Sequence, residues 1–404
     1  MISVEEAQSR VLAAFESLPA ETVPLPEALG RVTAELVAAR LTQPPWRVAA
    51  MDGWAVRSSD VATAPATLIR VGEAPAGGAY AGAVGPGEAV RIFTGAPFPD
   101  GADTLVIQED TGVEGNQVTV NVTYGPDRNI RPEGGDFTYG KVGIEAGTLL
   151  TSRHIGLCAA MNVPWLKVHR RPRIAILATG DEIVYPGDLI GANQIVSSNS
   201  HTLAAFVRAL GGEQIDLGIA RDTPESLAER ARGAEGADLL VTTGGASEGD
   251  HDLVRSVLLG EGGSLDFWKI AMRPGKPLMF GHTGNRPLLG LPGNPVSSAV
   301  AAMLFLKPVL RRLQGLPAGD GPPPKARLGR AVKANDKRQD YQRATLAIGE
   351  DGLPVASPFA NQDSSLTSVL AQAQCLVVRP PHAPAAQAGD WVDIVPFGTG
   401  SLAV

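Results

Sequence analysis

The chain has 404 residues, 44% apolar and 19% charged, with a formal net charge of −7. That length exceeds one ordinary core and predicts a multidomain soluble protein, while the acidic balance excludes general affinity for nucleic acid but allows a local basic pocket. Two cysteines far apart, Cys158 and Cys375, form neither a zinc spacing nor a disulfide framework, which suits a reducing, cytoplasmic compartment.

The N-terminal segment is polar and acidic, unlike a secretory signal. Ser3 caps an expected helix, Val4 to Leu18, with Glu5 and Glu6 in its first turn where the helix dipole favours them. A second helical pattern follows Pro26 through Ala28 and Leu29 towards Val37. From about Leu41 to Gly147, short Val/Ile/Thr runs alternate with Gly-Pro punctuation, the texture of a β-rich module. Three polar patches interrupt it: Ala50–Val56 (AMDGWAV), Thr94–Pro97 (TGAP) and Asn129–Asp136 (NIRPEGGD). Each taken singly is explained by turn chemistry. Helix returns from Ser152 to Met161. From Arg173 strands alternate with helices: Ile174–Ala178, helix Ser200–Leu210, Gln214–Ala220, a helix capped by Thr223, Asp238–Thr243, helix Leu253–Leu259, and Leu265–Ala271. Such alternation predicts a doubly wound parallel sheet covered on both faces. The segment Pro287–Leu291 then turns through Gly293-Asn294-Pro295 into a helix whose apolar run stops at Lys307, too short to span a bilayer. Pro317–Lys325 is a linker by composition, and Ala326–Val404 is again β-rich. The predicted architecture is therefore α/β plus β. Residues 1–40 and 148–170 form an elongated linker domain, with 1–20 free to pack on the α/β domain. Residues 41–147 form an inserted β-rich domain, 171–316 the central α/β domain and 325–404 a C-terminal β domain.

In a doubly wound sheet, ligands bind outside the carboxyl ends of the strands. Those ends are unusually polar here: Thr179-Gly180-Asp181-Glu182, Arg221-Asp222-Thr223, Gly244 through Asp252, and Gly293-Asn294-Pro295. Glycines Gly244, Gly245 and Gly249 let backbone approach a ligand. Asn294 suits an N-cap and Pro295 the first helical position, so backbone N–H groups and the positive helix end aim at one point. Carboxylates Asp181, Glu182, Asp222, Asp250 and Asp252 are candidates to converge on one hard cation. Between them, Lys269–Pro277 (KIAMRPGKP) supplies Lys269, Arg273 and Lys276. Glycine-rich amides, a cation site and Lys/Arg are the parts a phosphorylated ligand requires. A helix cap or a solvated loop charge is the competing explanation of each carboxylate alone. No P-loop and no GxGxxG after a strand is present, which disfavours ordinary nucleotidases and dehydrogenases.

The ordered set AMDGWAV, RIFTGAP, NIRPEGGD, TGDE, SSNS, TTGGAS-EGDHD, FWKIAMRPGKP and GLPGNPVS resembles the molybdopterin molybdenumtransferase family, which includes the C-terminal enzyme domain of gephyrin. The resemblance runs from about Val4 to the C-terminus. It implies insertion of molybdate into adenylylated molybdopterin with release of AMP, a Mg²⁺ ion, and an elongated homodimer whose site joins the α/β domain of one subunit to the β-rich domain of the other. Matched motif by motif, it implies that Asp52, Thr94, Arg131 and Asp136 face the site from the β-rich domain. From the α/β domain it implies Gly180, Glu182, Asp222, Gly244, Gly245, Ser247, Asp252, Lys269, Arg273, Lys276, Gly293, Asn294 and Pro295, with Arg343 reaching in from the last domain. Glu182, Asp222 and Asp252 would hold the metal. Lys269, Arg273 and Lys276 would draw in molybdate, and Asp52 would orient it or a water. Molybdopterin adenylyltransferase and molybdoenzyme maturation factors are the partners it implies, with no nucleic acid and no membrane.

Arg273 stands where the family often has Lys, which keeps the charge and changes the hydrogen-bond geometry. Asn361–Ser365 matches the family's C-terminal segment only loosely. Two other readings compete. An enzyme that adenylylates molybdopterin shares the α/β fold, but the AMDG module and the C-terminal β domain argue against it. A gephyrin-like receptor scaffold is disfavoured by the lack of an extra N-terminal domain and long linker.

Overall fold

Along Arg173–Thr179, Ile174 and Ile176 face one side while Ala175 and Leu177 face the other, and all four are buried. Leu239 and Val241 against Leu240, and Leu289 and Leu291 against Leu288, repeat the pattern. A strand whose two faces are both apolar has to lie inside, and each fully buried Ile or Leu contributes about 1.5–3 kcal/mol. The computed structural model describes residues 1–244, 254, 257, 262–319 and 321–398. It separates into two units. One contains Met1–Glu21, Gly30–Ala34 and Val168–Val404, and the other contains Thr22–Leu29 and Glu35–Lys167.

The first unit holds a six-stranded sheet in the order Glu213–Ala220, Arg173–Thr179, Leu239–Thr243, Arg286–Leu291, Met279–Thr283, Ser264–Trp268. The first four strands are parallel, and the last two add an antiparallel edge. Helices Asn199–Ala209 and Pro295–Ala301 cover one face, and Pro224–Arg232 covers the other. The antiparallel edge arises because Met279–Thr283 turns back through Gly284-Asn285 into Arg286–Leu291, a short hairpin turn of favoured residue types. Of the helix expected over Leu253–Leu259, only Val254 and Val257 lie within the described residues, and both are helical.

Helix Val4–Ala13 is shorter than its sequence pattern. Ser3 caps it through Glu6 N–H at 3.0 Å, and Val4, Ala7 and Val11 join the core on the sheet's first face. The helix entered at Pro295 continues past the end of its apolar run at Lys307. It passes through a π-helical stretch, Ala302–Leu306, and continues as Lys307–Leu313. Pro308 has no N–H to donate, and the wider turn absorbs the missing bond. Residues 325–398 form a closed barrel: Gln339–Ile348, Pro354–Pro358, Lys325–Leu328, Trp391–Pro396 and Cys375–Arg379, which returns to Gln339–Ile348.

In the second unit a six-stranded mixed sheet runs Thr104–Ile107, Gly53–Val56, Glu88–Ile92, Ala66–Ala74, Gln117–Val120, Thr111–Glu114. Ala55, Val90, Ile92 and Leu105 fill one face; Trp54, Val56, Ala89 and Val106 fill the other. Helix Ser152–Ala160 forms as its pattern requires. The helix expected after Pro26 does not form. Only a 3-10 turn, Leu25–Glu27, appears, followed by the short strand Val37–Ala38. Gly30 at φ +72° breaks the right-handed run between them.

Candidate active site

Register aligns the strand ends. Thr179 pairs with Ala220, and Thr243 lies opposite Ala178 on one side and Leu291 on the other. The next residues of all four parallel strands therefore leave the sheet at one rim: Gly180, Arg221-Asp222, Gly244 and Pro292-Gly293. Along that rim the Asp222 N–H donates to Asp181 Oδ1 at 3.3 Å, and Arg221 lies 3.8 Å from the same oxygen. Glu182 and Asp222 are both exposed. Gly244, at φ +93°, has no room for a side chain, since a Cβ would stand 2.5 Å from Thr179 O. Its Cα lies 3.6 Å from where a Gly293 Cβ would sit, so two bare backbones face each other.

The loop after Trp268 lies beside this rim. Lys269 is held at φ +91°, an uncommon conformation for a residue with a side chain, by its N–H to Leu278 O at 3.0 Å. Ile270 N–H donates to Lys276 O at 3.1 Å, which closes the loop and brings Lys269 and Lys276 to its base. Lys269 Nζ stands 4.4 Å over the Trp268 ring. Next to Lys276, a Cβ on Gly275 would fall 3.7 Å from Ser297 O and 4.0 Å from Pro292, so the loop touches the start of the helix at Pro295.

Two arginines are placed differently from expectation. Arg273 turns to the barrel rather than the rim. Met272-Arg273 pairs in parallel with Gln339-Asp340, and the guanidinium grips Asp340 through Nε at 3.0 Å and Nη2 at 2.8 Å. Asn335 and Asp336 add contacts at 3.2 and 3.4 Å. The Asp340 bonds raise its pKa further, and its charge is matched before any ligand arrives. Arg343 does not reach outward either. It is 1% exposed and donates to Asp363 O at 2.9 Å and Leu366 O at 3.2 Å. Burial lowers its pKa, and backbone carbonyls take its hydrogens. It therefore pins the segment Asp363–Leu366.

That segment changes the Asn294 reading. Asn294 occupies the N-cap position without capping: its Nδ2 donates to Ser364 Oγ at 3.1 Å, and Val296 N–H donates to Ser364 O at 3.1 Å. One helix-start amide expected to face a ligand is thus taken by Ser364. Pro295 stands at the first helical position as expected. The loosely matching C-terminal segment, unassigned from sequence, proves to be what docks on the Gly-Asn-Pro turn. Asn199, within the SSNS motif, also received no role from sequence. Its amide bonds both Thr243 Oγ1 and Gly293 O.

In the second unit three motifs meet. The strand Val48–Ala49 lies between Ile130–Arg131 and the Gly95–Pro97 turn. Asp52, just beyond it, accepts from Thr94 N–H at 2.8 Å and Thr94 Oγ1 at 2.7 Å. These bonds, backbone first, hold its carboxyl below the usual range. Asp136 N–H donates to Gln43 O at 3.1 Å, which lays the Asn129–Asp136 motif along the chain entering Val48. Arg131 and Asp136 are exposed.

Gly245, Ser247, Asp250 and Asp252 lie outside the described residues. Among the described residues, no three His, Cys, Asp or Glu side chains group as a metal site. No described helix is long and apolar enough to cross a membrane.

One unit holds a parallel sheet with polar strand ends and a closed barrel, and the other a β-rich module, which together define a multidomain α/β plus β protein; comparison with known proteins narrows the class. Residues 175–312 match "Probable molybdopterin binding domain", residues 2–162 match "MoeA N-terminal region (domain I and II)" and residues 325–397 match "MoeA C-terminal region (domain IV)". A molybdopterin molybdenumtransferase of Nostoc sp. is 39% identical, covering 89% of this chain and 85% of the relative. One from Haemophilus influenzae is 34% identical, covering 98% and 99%. The solved molybdopterin biosynthesis MoeA protein of Pyrococcus horikoshii is 30% identical, with a TM-score of 0.84 over 99% of this chain and 100% of that one. The chain belongs to the molybdopterin molybdenumtransferase family, enzymes of molybdenum cofactor biosynthesis.

Proposed function

We propose that the chain inserts molybdate into adenylylated molybdopterin and releases AMP. The observation that carries this reading is the alignment of four strand ends, which gathers Gly180, Asp222, Gly244 and Gly293 at one rim beside the Lys269–Lys276 loop. Backbone amides and lysines there match a dianionic oxyanion and a phosphoanhydride, and carboxylates match a hard cation. Glu182 and Asp222, with Asp252, are oxygen donors of the kind Mg²⁺ takes. Bound there, the ion supplies charge neutralisation on the phosphates.

This chain's own residues divide the remaining work. Gly180, Gly244, Gly245, Gly293, Asn294 and Pro295, with Ser247, receive pterin and phosphate through close backbone approach. Lys269 and Lys276 attract molybdate and offset charge as the anhydride bond to phosphorus breaks. Arg273 and Arg343 act at one remove: the first fastens the lysine loop to the barrel, and the second fastens Ser364 against Asn294. Asp52, kept ionised by Thr94, orients molybdate or water, with Arg131 and Asp136 beside it. This second set serves the rim of another copy in a homodimer. Leu36, 52% exposed beside strand Val37–Ala38, and Val142, 39% exposed on the strand paired with it, support such an association. The reaction proceeds in the cytoplasm, with the adenylylating enzyme upstream and molybdoenzyme maturation factors downstream.

Purified protein is incubated with adenylylated molybdopterin, Mg²⁺ and molybdate, and AMP is measured. Molybdate-dependent AMP release is expected. Its absence, or conversion of molybdopterin and ATP to the adenylate instead, overturns the reading. A mass measurement giving a monomer at working concentration overturns the shared site.

A further inference from the structure

The loop Pro292–Asn294 is exposed from Gly293 onward, yet its geometry is set by side chains behind it. Asn199, the first residue of the helix Asn199–Ala209, is half-buried. Its Nδ2 donates to Gly293 O at 2.7 Å and to Thr243 Oγ1 at 2.8 Å. Thr243 is 1% exposed at the end of its strand, and its hydroxyl in turn reaches Pro292 O at 3.5 Å. Two successive loop carbonyls are therefore held from one side by a single amide–hydroxyl pair. A trans peptide is planar, with its C=O and N–H pointing in opposite directions. Holding Pro292 C=O aims Gly293 N–H away from Asn199, and holding Gly293 C=O does the same for Asn294 N–H. Successive N–H groups turned one way make the concave donor set that anions prefer.

We infer that Asn199 and Thr243 are positioning residues, which orient the Gly293 and Asn294 amides toward the phosphate-bearing end of the pterin substrate. This rests on the reaction proposed above and deepens it. The amide is the suitable group at 199 because both of its hydrogens find acceptors there. A carboxylate in its place would accept from Thr243 but repel Gly293 O. The pair also ties a helix start to two adjacent strand ends, so the loop cannot rotate independently of the sheet.

The test compares Asn199→Ala, Asn199→Asp, Thr243→Val and Thr243→Ser in the full chain. Affinity for adenylylated molybdopterin is read by calorimetry, and KM and kcat by AMP release. Loss of the pair should weaken substrate affinity and raise its KM about tenfold in the first three variants. The KM for molybdate and kcat should change by less than about threefold, because the lysine loop is untouched. Thr243→Ser, retaining the hydroxyl, should restore affinity to within about twofold of wild type. The double variant Asn199→Ala/Thr243→Val should bind about as weakly as either single one, since the two act as a unit. Unchanged affinity in Asn199→Ala and Thr243→Val overturns the inference, as does equal impairment in Thr243→Ser and Thr243→Val. A fall in kcat and urea midpoint together with a rise in molybdate KM also overturns it, by assigning the pair a purely structural role. Wild-type protein that binds the adenylate but releases no AMP overturns the proposed reaction and leaves the binding comparison to decide this inference. Wild-type protein that fails to bind it overturns both.

Discussion

The α/β sheet and the C-terminal barrel are built from similar short apolar strands, yet they dispose of their polar groups in opposite ways. Beyond the ends of the sheet's parallel strands, Glu182, Asp222, Gly293 and Asn294 are exposed at the rim. The barrel strands bury charge instead: Arg343, Asp340 and Arg379 are 1%, 5% and 5% exposed. Packing explains the contrast. Arg343 shares a strand face with Tyr341 and Leu376, which join the α/β core, so its guanidinium is buried where barrel and core meet and must be met by carbonyls. The lesson is that an arginine in a ligand-binding family acts on the ligand only if the fold leaves its hydrogens unspent.

The largest effect expected from this contrast is on the buried side. Arg343→Ala leaves the Asp363 and Leu366 carbonyls without their donor and opens a void, and it should lower stability by about 3 kcal/mol, read from urea unfolding. A variant as stable as wild type would show that the fold does not depend on this buried charge. The rim should behave in the reverse sense. Asp222→Ala is expected to reduce Mg²⁺-dependent AMP release about a hundredfold while changing the unfolding midpoint by less than about 0.5 kcal/mol. If it unfolds instead, or turns over normally, the metal assignment fails.

Arg273 lies between the two regimes, half-exposed and paired with a buried carboxylate. Arg273→Lys loses the two-pronged grip on Asp340, and a stability loss of about 1 kcal/mol is expected, with molybdate KM changed less than twofold. A large rise in molybdate KM would return Arg273 to the anion. The smallest effect concerns Asp336, whose carboxyl the Arg338 guanidinium holds down to about 2. A depressed carboxylate pKa stabilises above the unfolded value near 3.8, and that contribution is lost as pH falls through about 2. NMR titration of the Asp336 carboxyl checks it, and a midpoint at or above 3.8 would remove the Arg338 interaction.

Much was legible from the residues because local physics repeats a short code. Unbroken apolar runs in Ile174–Ala178 and Leu239–Val241 are buried on both faces, and Ser3 before Glu5-Glu6 caps a helix. Motif content was legible too, with Gly244 marking a close backbone approach, although its neighbour Thr179 O is found only in the fold. The helix expected after Pro26 failed because periodicity alone was read through Gly30. The two arginines were misplaced for a different reason. Nothing near Arg273 in the sequence announces Asp340, 67 residues on, and nothing near Asn294 announces Ser364, 70 residues on. The sequence by itself determined which strands are buried, where they turn, and that amides, carboxylates and lysines follow their ends, since each depends on neighbours a few bonds away. Only the tertiary structure decided which charges are consumed by partners and which face outward, because pairing in space is set by strand register and barrel closure, and these join residues that the chain keeps far apart.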